Sequence, residues 1–84
     1  MNTTKSSGVA GFTGTVIDVE ERSDRQIVMD VQCGSHRLEV TADNDDMVVF
    51  MLNLREGQEV SGVGYYLDSD HDHFAARHLQ IEEA

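Results

Sequence analysis

Apolar and polar residues alternate along most of this chain, which is the pattern of β-strands with one buried face. From Phe12 the alternation runs through Gly14 and Val16, slips by one position, and resumes at Val19. A one-residue slip within a strand is typical of a β-bulge, which lets a strand curl around a small barrel. The pattern therefore predicts a bulged first strand.

The clearest strand pair follows a charged connection predicted at residues 20–25. Gly34 lies in the turn between the two strands, where a positive φ is needed. The inward positions of both strands are apolar, as expected of an antiparallel sheet with one wet side: Ile27, Met29, Val31, Leu38, Val40 and Ala42.

The period then changes to that of an α-helix. The acidic run from Asp43 to Asp46 supplies an N-cap and a negative first turn, both favourable at the positive end of a helix dipole. Gly57 stands where a left-handed C-cap would lie. The core-facing residues at helical spacing are Met47, Phe50, Met51 and Leu54. They predict a helix of about three turns that plugs the open end of the barrel.

Two more strands complete the pattern. The fourth runs from Gln58 to about Leu67, and its glycines at positions 62 and 64 suit a sharply coiled strand. The fifth shows a phase slip near His78, and its inward residues are Phe74, Ala76, Leu79 and Ile81. The prediction is one all-β domain at residues 11–84, a five-stranded barrel with one short helix between strands 3 and 4. A flexible arm is predicted at residues 1–10.

Composition limits the number of domains and the cellular compartments to be expected. The chain has 84 residues, enough for one domain, and its single cysteine, Cys33, excludes an intrachain disulfide. The polar N-terminus does not predict a signal peptide, and no apolar run is long enough to predict a membrane span. We expect a cytoplasmic protein.

The balance of charge is strongly acidic. Sixteen acidic residues against six basic ones give a formal net charge of −10. Such a field repels phosphate backbones and anionic membranes at low salt. Plain solubilisation, adaptation to a salty cytoplasm and recognition of a basic partner all explain it, and composition does not choose among them.

The order of elements resembles the OB fold. The residues that carry the resemblance are Gly14 to Glu20, Leu38 to Val40, Leu54 to Val60, Gly62 to Gly64, and Phe74 to Ile81. They are similar to the branch that includes anticodon-binding domains and single-stranded-DNA-binding proteins, and the likeness covers most of residues 12–82.

The resemblance implies a non-enzymatic module for single-stranded nucleic acid, with ligand on the outer face of strands 2 and 3 between the first and fourth loops. The candidate contacts are Arg22, Arg25, Val28, Gln32, Arg37, Thr41, Tyr65 and Arg77. Tyr65 is the aromatic platform, with Phe74 or Tyr66 in that role if the strand phase differs. Asp30 and Glu39 lie on the same face and oppose a phosphate backbone.

The alternative is an acidic interaction barrel that docks a basic partner or self-associates. Val48, Val49 and Leu52 stay apolar outside the core-facing set, so the helix Asp46–Leu54 is the expected homodimer contact in that case. Cover by the protein's own barrel is the simpler explanation of these residues.

No catalytic residue, metal or cofactor is expected. His71 and His73 have donor types that suit a transition metal, with Asp68, Asp70 or His78, but no partner stands at a recognised spacing. The chain shows no Ser/His/Asp order and no phosphate-cradling glycine loop.

Overall fold

The computed structural model describes residues 9–23 and 26–82. Those residues form a barrel of five strands with one helix after the third strand: β1 (Ala10–Ser23), β2 (Gln26–Cys33), β3 (His36–Ala42), α1 (Asp45–Leu52), β4 (Glu59–Tyr66) and β5 (His73–Glu82). The strands close in the order β1-β2-β3-β5-β4. The predicted all-β barrel is confirmed. Most of the arm predicted at residues 1–10 lies outside the described residues, and Ala10 already belongs to β1.

Closure depends on the length of β1. Its first half, Ala10 to Thr15, pairs with β4, and its second half, Thr15 to Ser23, pairs with β2. The register shifts between Val16 and Asp18, where the sequence predicts the bulge. A parallel pairing of β3 with β5 completes the circle.

The pairing of β1 with β2 shifts again between Glu21 and Ser23, and a third irregularity lies between β4 and β5. Val63 pairs with His78 and Gly64 with Ala76, so Arg77 is the extra residue. The phase slip that the sequence predicts near His78 therefore occurs one residue earlier, at Arg77. Ile81, expected inside, is 37% exposed near the end of β5.

The core is continuous from the barrel to the helix. Its largest fully enclosed side chains include Phe74, Met29, Leu38 and Met51. Helix α1 contacts β2, β3 and β5 and buries Met47 and Met51, so it closes one end of the barrel as predicted.

The connection predicted at residues 20–25 is wrong at its start, because β1 continues to Ser23. Glu20 pairs with Val28, Glu21 with Ile27, and Ser23 with Gln26. Charged side chains do not interrupt a strand whose backbone groups still find partners across the ladder. The candidate Arg25 lies outside the described residues.

The helix is shorter than predicted, about two turns. Asn44 is the N-cap and its Oδ1 accepts from the Met47 N–H at 3.0 Å. At the other end the Asn53 side chain donates to the Val49 carbonyl at 2.8 Å and occupies an acceptor near the helix end. Leu54 still packs into the core at 8% exposure, and Gly57 takes its positive φ of 92° in the following turn.

The outward side of α1 stays apolar. Val49 is 60% exposed and Leu52 51% exposed, so the barrel does not cover them. Self-association through this helix stays a prediction. In the described part of the chain, no helix is long and apolar enough to cross a membrane.

Candidate nucleic-acid interface

The outer surface of the sheet presents side chains in three rows that run across the strands. The first row crosses all five strands: Glu20, Val28, Thr41, Ala75 and Tyr65. The second, the acidic row, contains Asp18, Asp30 and Glu39 and ends at His73. The third row contains Thr15, Gln32 and Arg37. Of the predicted contacts, Val28, Thr41 and Tyr65 fall in the first row and Gln32 and Arg37 in the third. Arg22, near the end of β1, and Arg77 fall in none of the rows.

A cleft of about 310 Å³ opens at one end of this surface. It lies among the end of β1, the start of β2, the end of β3 and Leu67, which follows β4. The residues that line this binding cleft are Arg22, Gln26, Ile27, Val28, Thr41, Ala42 and Leu67. Three of the predicted contacts, Arg22, Val28 and Thr41, therefore share one cavity wall.

Val28 faces outward as predicted but is only 6% exposed. Arg22 on β1 reaches Glu39 on β3, with 3.4 Å between Nη2 and Oε2, so its side chain crosses β2. Leu67 approaches the same cleft from the segment after β4. Val28 therefore lies on the outer face but is almost enclosed, and its role as a ligand contact stays a prediction.

Arg22 is the cation of the cleft. Its Nε lies 3.3 Å from Glu20 Oε1, and this hydrogen bond, with the charge of Glu39, raises the pKa of Arg22. The guanidinium therefore remains charged, but two carboxylates already engage it.

Arg37 differs from Arg22. Among the described residues its side chain has no ion pair or hydrogen bond, and it is exposed. Its row neighbour Gln32 donates to the Gly34 carbonyl at 2.8 Å, within the β2–β3 turn. Arg37 is therefore the cation of this face that is available to a ligand.

Tyr65 and Arg77 meet at Asp43, just before the helix. The Tyr65 hydroxyl donates to Asp43 Oδ1 at 2.8 Å, and Arg77 Nε lies 3.7 Å from Oδ2 of the same carboxylate. The hydrogen bond to Asp43 raises the pKa of Tyr65. The half-buried Tyr65 is thus held on the outer face, at the opposite end of the first row from Glu20.

The other two aromatic candidates point elsewhere. Phe74 is fully buried in the core. Tyr66 faces inward and stacks on His71, with 4.2 Å between ring centroids. Neither ring is on the outer face, so of the three aromatic candidates Tyr65 is the one that lies there.

Sequence reasoning missed how the loop at residues 67–72 is fastened to β3. The Glu39 N–H donates to the Asp72 carbonyl at 2.9 Å, and His36 Nε2 lies 3.2 Å from Asp72 Oδ1. His73 Nδ1 lies 2.6 Å from Asp68 Oδ2, which raises the pKa of His73 and lowers that of Asp68. The alternating Asp and His residues of this loop are the available signal, because residues of opposite charge in one short segment favour ion pairs.

Within residues 9–23 and 26–82, no group of three or more His, Cys, Asp or Glu residues is arranged to hold a metal ion. Burial raises the pKa of the Cys33 thiol, which disfavours the reactive thiolate.

Comparison with known proteins identifies the fold. No family model and no curated protein matches the chain. A chain of the S. pombe Stn1–Ten1 complex aligns with a TM-score of 0.77 at 15% identity, over 90% of this chain and 59% of that one. The chain has the OB fold. The mitochondrial single-stranded-DNA-binding protein Rim1 from S. cerevisiae aligns at 0.75 and 11% identity, over 89% and 93% of the two chains.

A third OB barrel, OBody NL8 bound to hen egg-white lysozyme, covers 100% of this chain and 99% of its own, with a TM-score of 0.78 and 14% identity. OB barrels that bind oligonucleotides use the outer face of strands 2 and 3 together with the β1–β2 and β4–β5 loops. The binding cleft opens at that position.

Proposed function

We propose that this OB barrel binds single-stranded nucleic acid across the outer face of β2 and β3. The observation that carries the proposal is the position of the binding cleft, between the two loops that flank the ligand face of oligonucleotide-binding OB barrels. A single-stranded nucleic acid that follows the first row would contact Arg22 at one end and the Tyr65 ring at the other. Arg37, in the third row, is a further cation for its phosphates. The structural relative that is named a single-stranded-DNA-binding protein supports the same class of ligand.

The charge of this face determines how such binding responds to salt. The first two rows carry four carboxylates, Asp18, Glu20, Asp30 and Glu39, against the cations Arg22 and Arg37. Affinity therefore rests on stacking, about 1–3 kcal/mol per base, and on neutral hydrogen bonds. Salt weakens the binding of nucleic acid to basic proteins because it competes with their attraction to the phosphates. On this acidic face salt instead screens the repulsion between carboxylates and phosphates. Affinity should rise with ionic strength.

The test is fluorescence anisotropy with a labelled oligothymidylate of about 12 nucleotides. Affinity is measured at about 0.05 M and about 2 M KCl. Tyr65→Ala should weaken binding about tenfold, because one stacking contact is lost. Thr13→Ala, on the part of β1 that pairs with β4, is the matched control and should bind as the wild type does. A folded protein that binds at neither ionic strength contradicts the proposal.

The acidic row favours a second candidate, a basic protein partner. Asp18, Asp30 and Glu39 bring three carboxylates together on adjacent strands, a surface complementary to Lys and Arg side chains. OBody NL8, an OB barrel bound to a protein, is consistent with this use of the fold.

One substitution separates the two candidates. Asp30→Asn removes a negative charge that has no ion pair among the described residues. It should strengthen oligonucleotide binding and weaken binding of an arginine-rich peptide. Weaker peptide binding at high salt, with no oligonucleotide binding, favours the protein partner.

A further inference from the structure

The loop that borders the binding cleft is tied to the barrel by a set of titratable side chains. We call this set the histidine strap: His36, Glu39, Asp68, Asp72 and His73. Its contacts join β3 to the start of β5 through the two histidines, with His36 on Asp72 and His73 on both Asp68 and Glu39. The strap belongs to the same surface as the cleft, because Glu39 and His73 end the acidic row.

Acidic groups surround His73. From the loop, Asp68 Oδ2 lies 2.6 Å from its Nδ1 and Asp72 adds a second negative charge; from β3, Glu39 Oε1 lies 3.5 Å from its Nε2. From β1, Arg22 faces this cluster, since it reaches the other oxygen of Glu39 at 3.4 Å. On the β4 side, Tyr66 is the titratable neighbour, since it pairs with Phe74, next to His73. The hydrogen bond to Asp68 raises the pKa of His73, and desolvation opposes the rise.

Glu39 connects this histidine to the cleft. Its two carboxylate oxygens are shared between His73 Nε2 on one side and Arg22 Nη2 on the other. A cationic His73 takes part of the charge of Glu39 and leaves Arg22 more available to an anionic ligand. A neutral His73 leaves Arg22 as the main counter-charge of Glu39.

We propose that protonation of His73 controls the affinity of the binding cleft for the phosphates of a nucleic acid. This inference rests on the proposed function and adds its regulation. Protonation places a positive charge at the end of the acidic row and loosens the hold of Glu39 on Arg22. Both effects act in the same direction, so affinity increases as the pH falls through the pKa of His73.

The histidine strap also makes the free energy of unfolding depend on pH, whether or not a ligand is bound. Since the pKa of His73 is raised, its contribution is complete below the ordinary value of 6.5 and is lost as the pH rises through the folded value. Since the pKa of Asp68 is lowered, its contribution is complete above 3.8 and is lost as the pH falls through the lowered value. The strap should therefore be strongest between those two limits.

The experiment measures oligothymidylate affinity by anisotropy from about pH 8 to about pH 5.5, a range in which thymine and phosphodiester groups do not titrate. The ionic strength is fixed at about 0.15 M, where a Debye length of about 8 Å leaves the charge of His73 effective. The wild type should bind about fivefold more tightly at the acidic end, the effect of one added charge near the surface. His73→Gln should remove this pH dependence. His78→Gln replaces a histidine that pairs with Val63, away from the strap, and should retain it. NMR titration of the His73 imidazole without ligand measures its pKa independently.

The outcomes are separable. If the wild type binds equally at all pH values, or if His73→Gln keeps the pH dependence, the inference is overturned and the proposed function stands. If a folded wild type binds oligothymidylate at no pH and at no ionic strength between about 0.05 M and about 2 M KCl, the proposed function fails and regulation of nucleic-acid binding fails with it. A pH dependence that His73→Gln alone abolishes, with a raised His73 pKa by NMR, supports the inference.

Discussion

At the residue scale, the tightest constraint on this barrel is the space that its glycines leave for neighbouring strands. A Cβ at Gly14 would lie 2.5 Å from the Gln32 carbonyl oxygen, and one at Gly64 would collide with the Ala75 carbonyl oxygen. Both partners belong to adjacent strands, so the backbone itself occupies the space. Strand curvature in this small barrel depends on these two positions.

Gly64→Ala should therefore lower the free energy of unfolding by at least about 1–3 kcal/mol, since the obstacle is backbone that does not move aside as a side chain would. Urea denaturation followed by circular dichroism measures the change. The control is Val63→Ala at the preceding residue, 47% exposed, which should shift stability by no more than about 0.5 kcal/mol. Equal effects of the two substitutions would contradict the steric argument.

Val28 shows where a strand pattern stops being informative. Alternation assigned it to the outer face, and the pairing with Thr41 agrees. It nevertheless lines a cleft together with Arg22 and with Leu67, which lies 39 residues further along the chain, and no local period predicts that arrangement. His73 and Glu39 are likewise distant in the sequence, and no local period predicts that they pair. The position of the cleft was therefore predictable from the sequence, but the side-chain contacts around it were not.

At the element scale, the start of the helix was easier to predict than its end. The acidic run supplied an N-cap, and Asn44 fills that role. The helix ends near Asn53, whose side chain donates a hydrogen bond to the Val49 carbonyl. Gly57, which the sequence predicts as the C-cap, lies in the turn after the helix. Core packing persists past the helix, since Leu54 is buried without being helical. A period in the apolar residues thus overestimated the helical length.

Asn44→Ala should cost about 1 kcal/mol of stability through loss of the bond to the Met47 N–H. Because the short helix closes one end of the barrel, amide hydrogen exchange in Asp45–Leu52 should increase more than in β2. Asn44→Asp is the matched variant, because it keeps an acceptor at the cap and should retain protection. Uniform exchange across the helix and β2 would show instead that the helix does not open separately.

At the scale of the whole molecule, acidic charge is distributed over most of the surface. Of the arginines described, Arg22 and Arg77 have carboxylate partners, whereas Arg37 and Arg55 have none within the described residues. A net charge of −10 on 84 residues therefore leaves a large excess of uncompensated carboxylates. Composition predicted the sign of this field, and the pairing of the strands shows that part of it is concentrated in the acidic row.

Repulsion among these carboxylates opposes the compact state, so salt should stabilise the fold. The Debye length shortens from about 10 Å at 0.1 M to about 3 Å at 1 M, less than the spacing between neighbouring strands. We expect the melting temperature to rise with KCl over this range, measured by circular dichroism. Glu56→Gln combined with Glu59→Gln removes two exposed carboxylates and should reduce the salt dependence while raising the melting temperature at low salt. A melting temperature that is independent of KCl would mean that the excess charge is already compensated locally, and the expected rise of oligonucleotide affinity with salt would lose its physical basis.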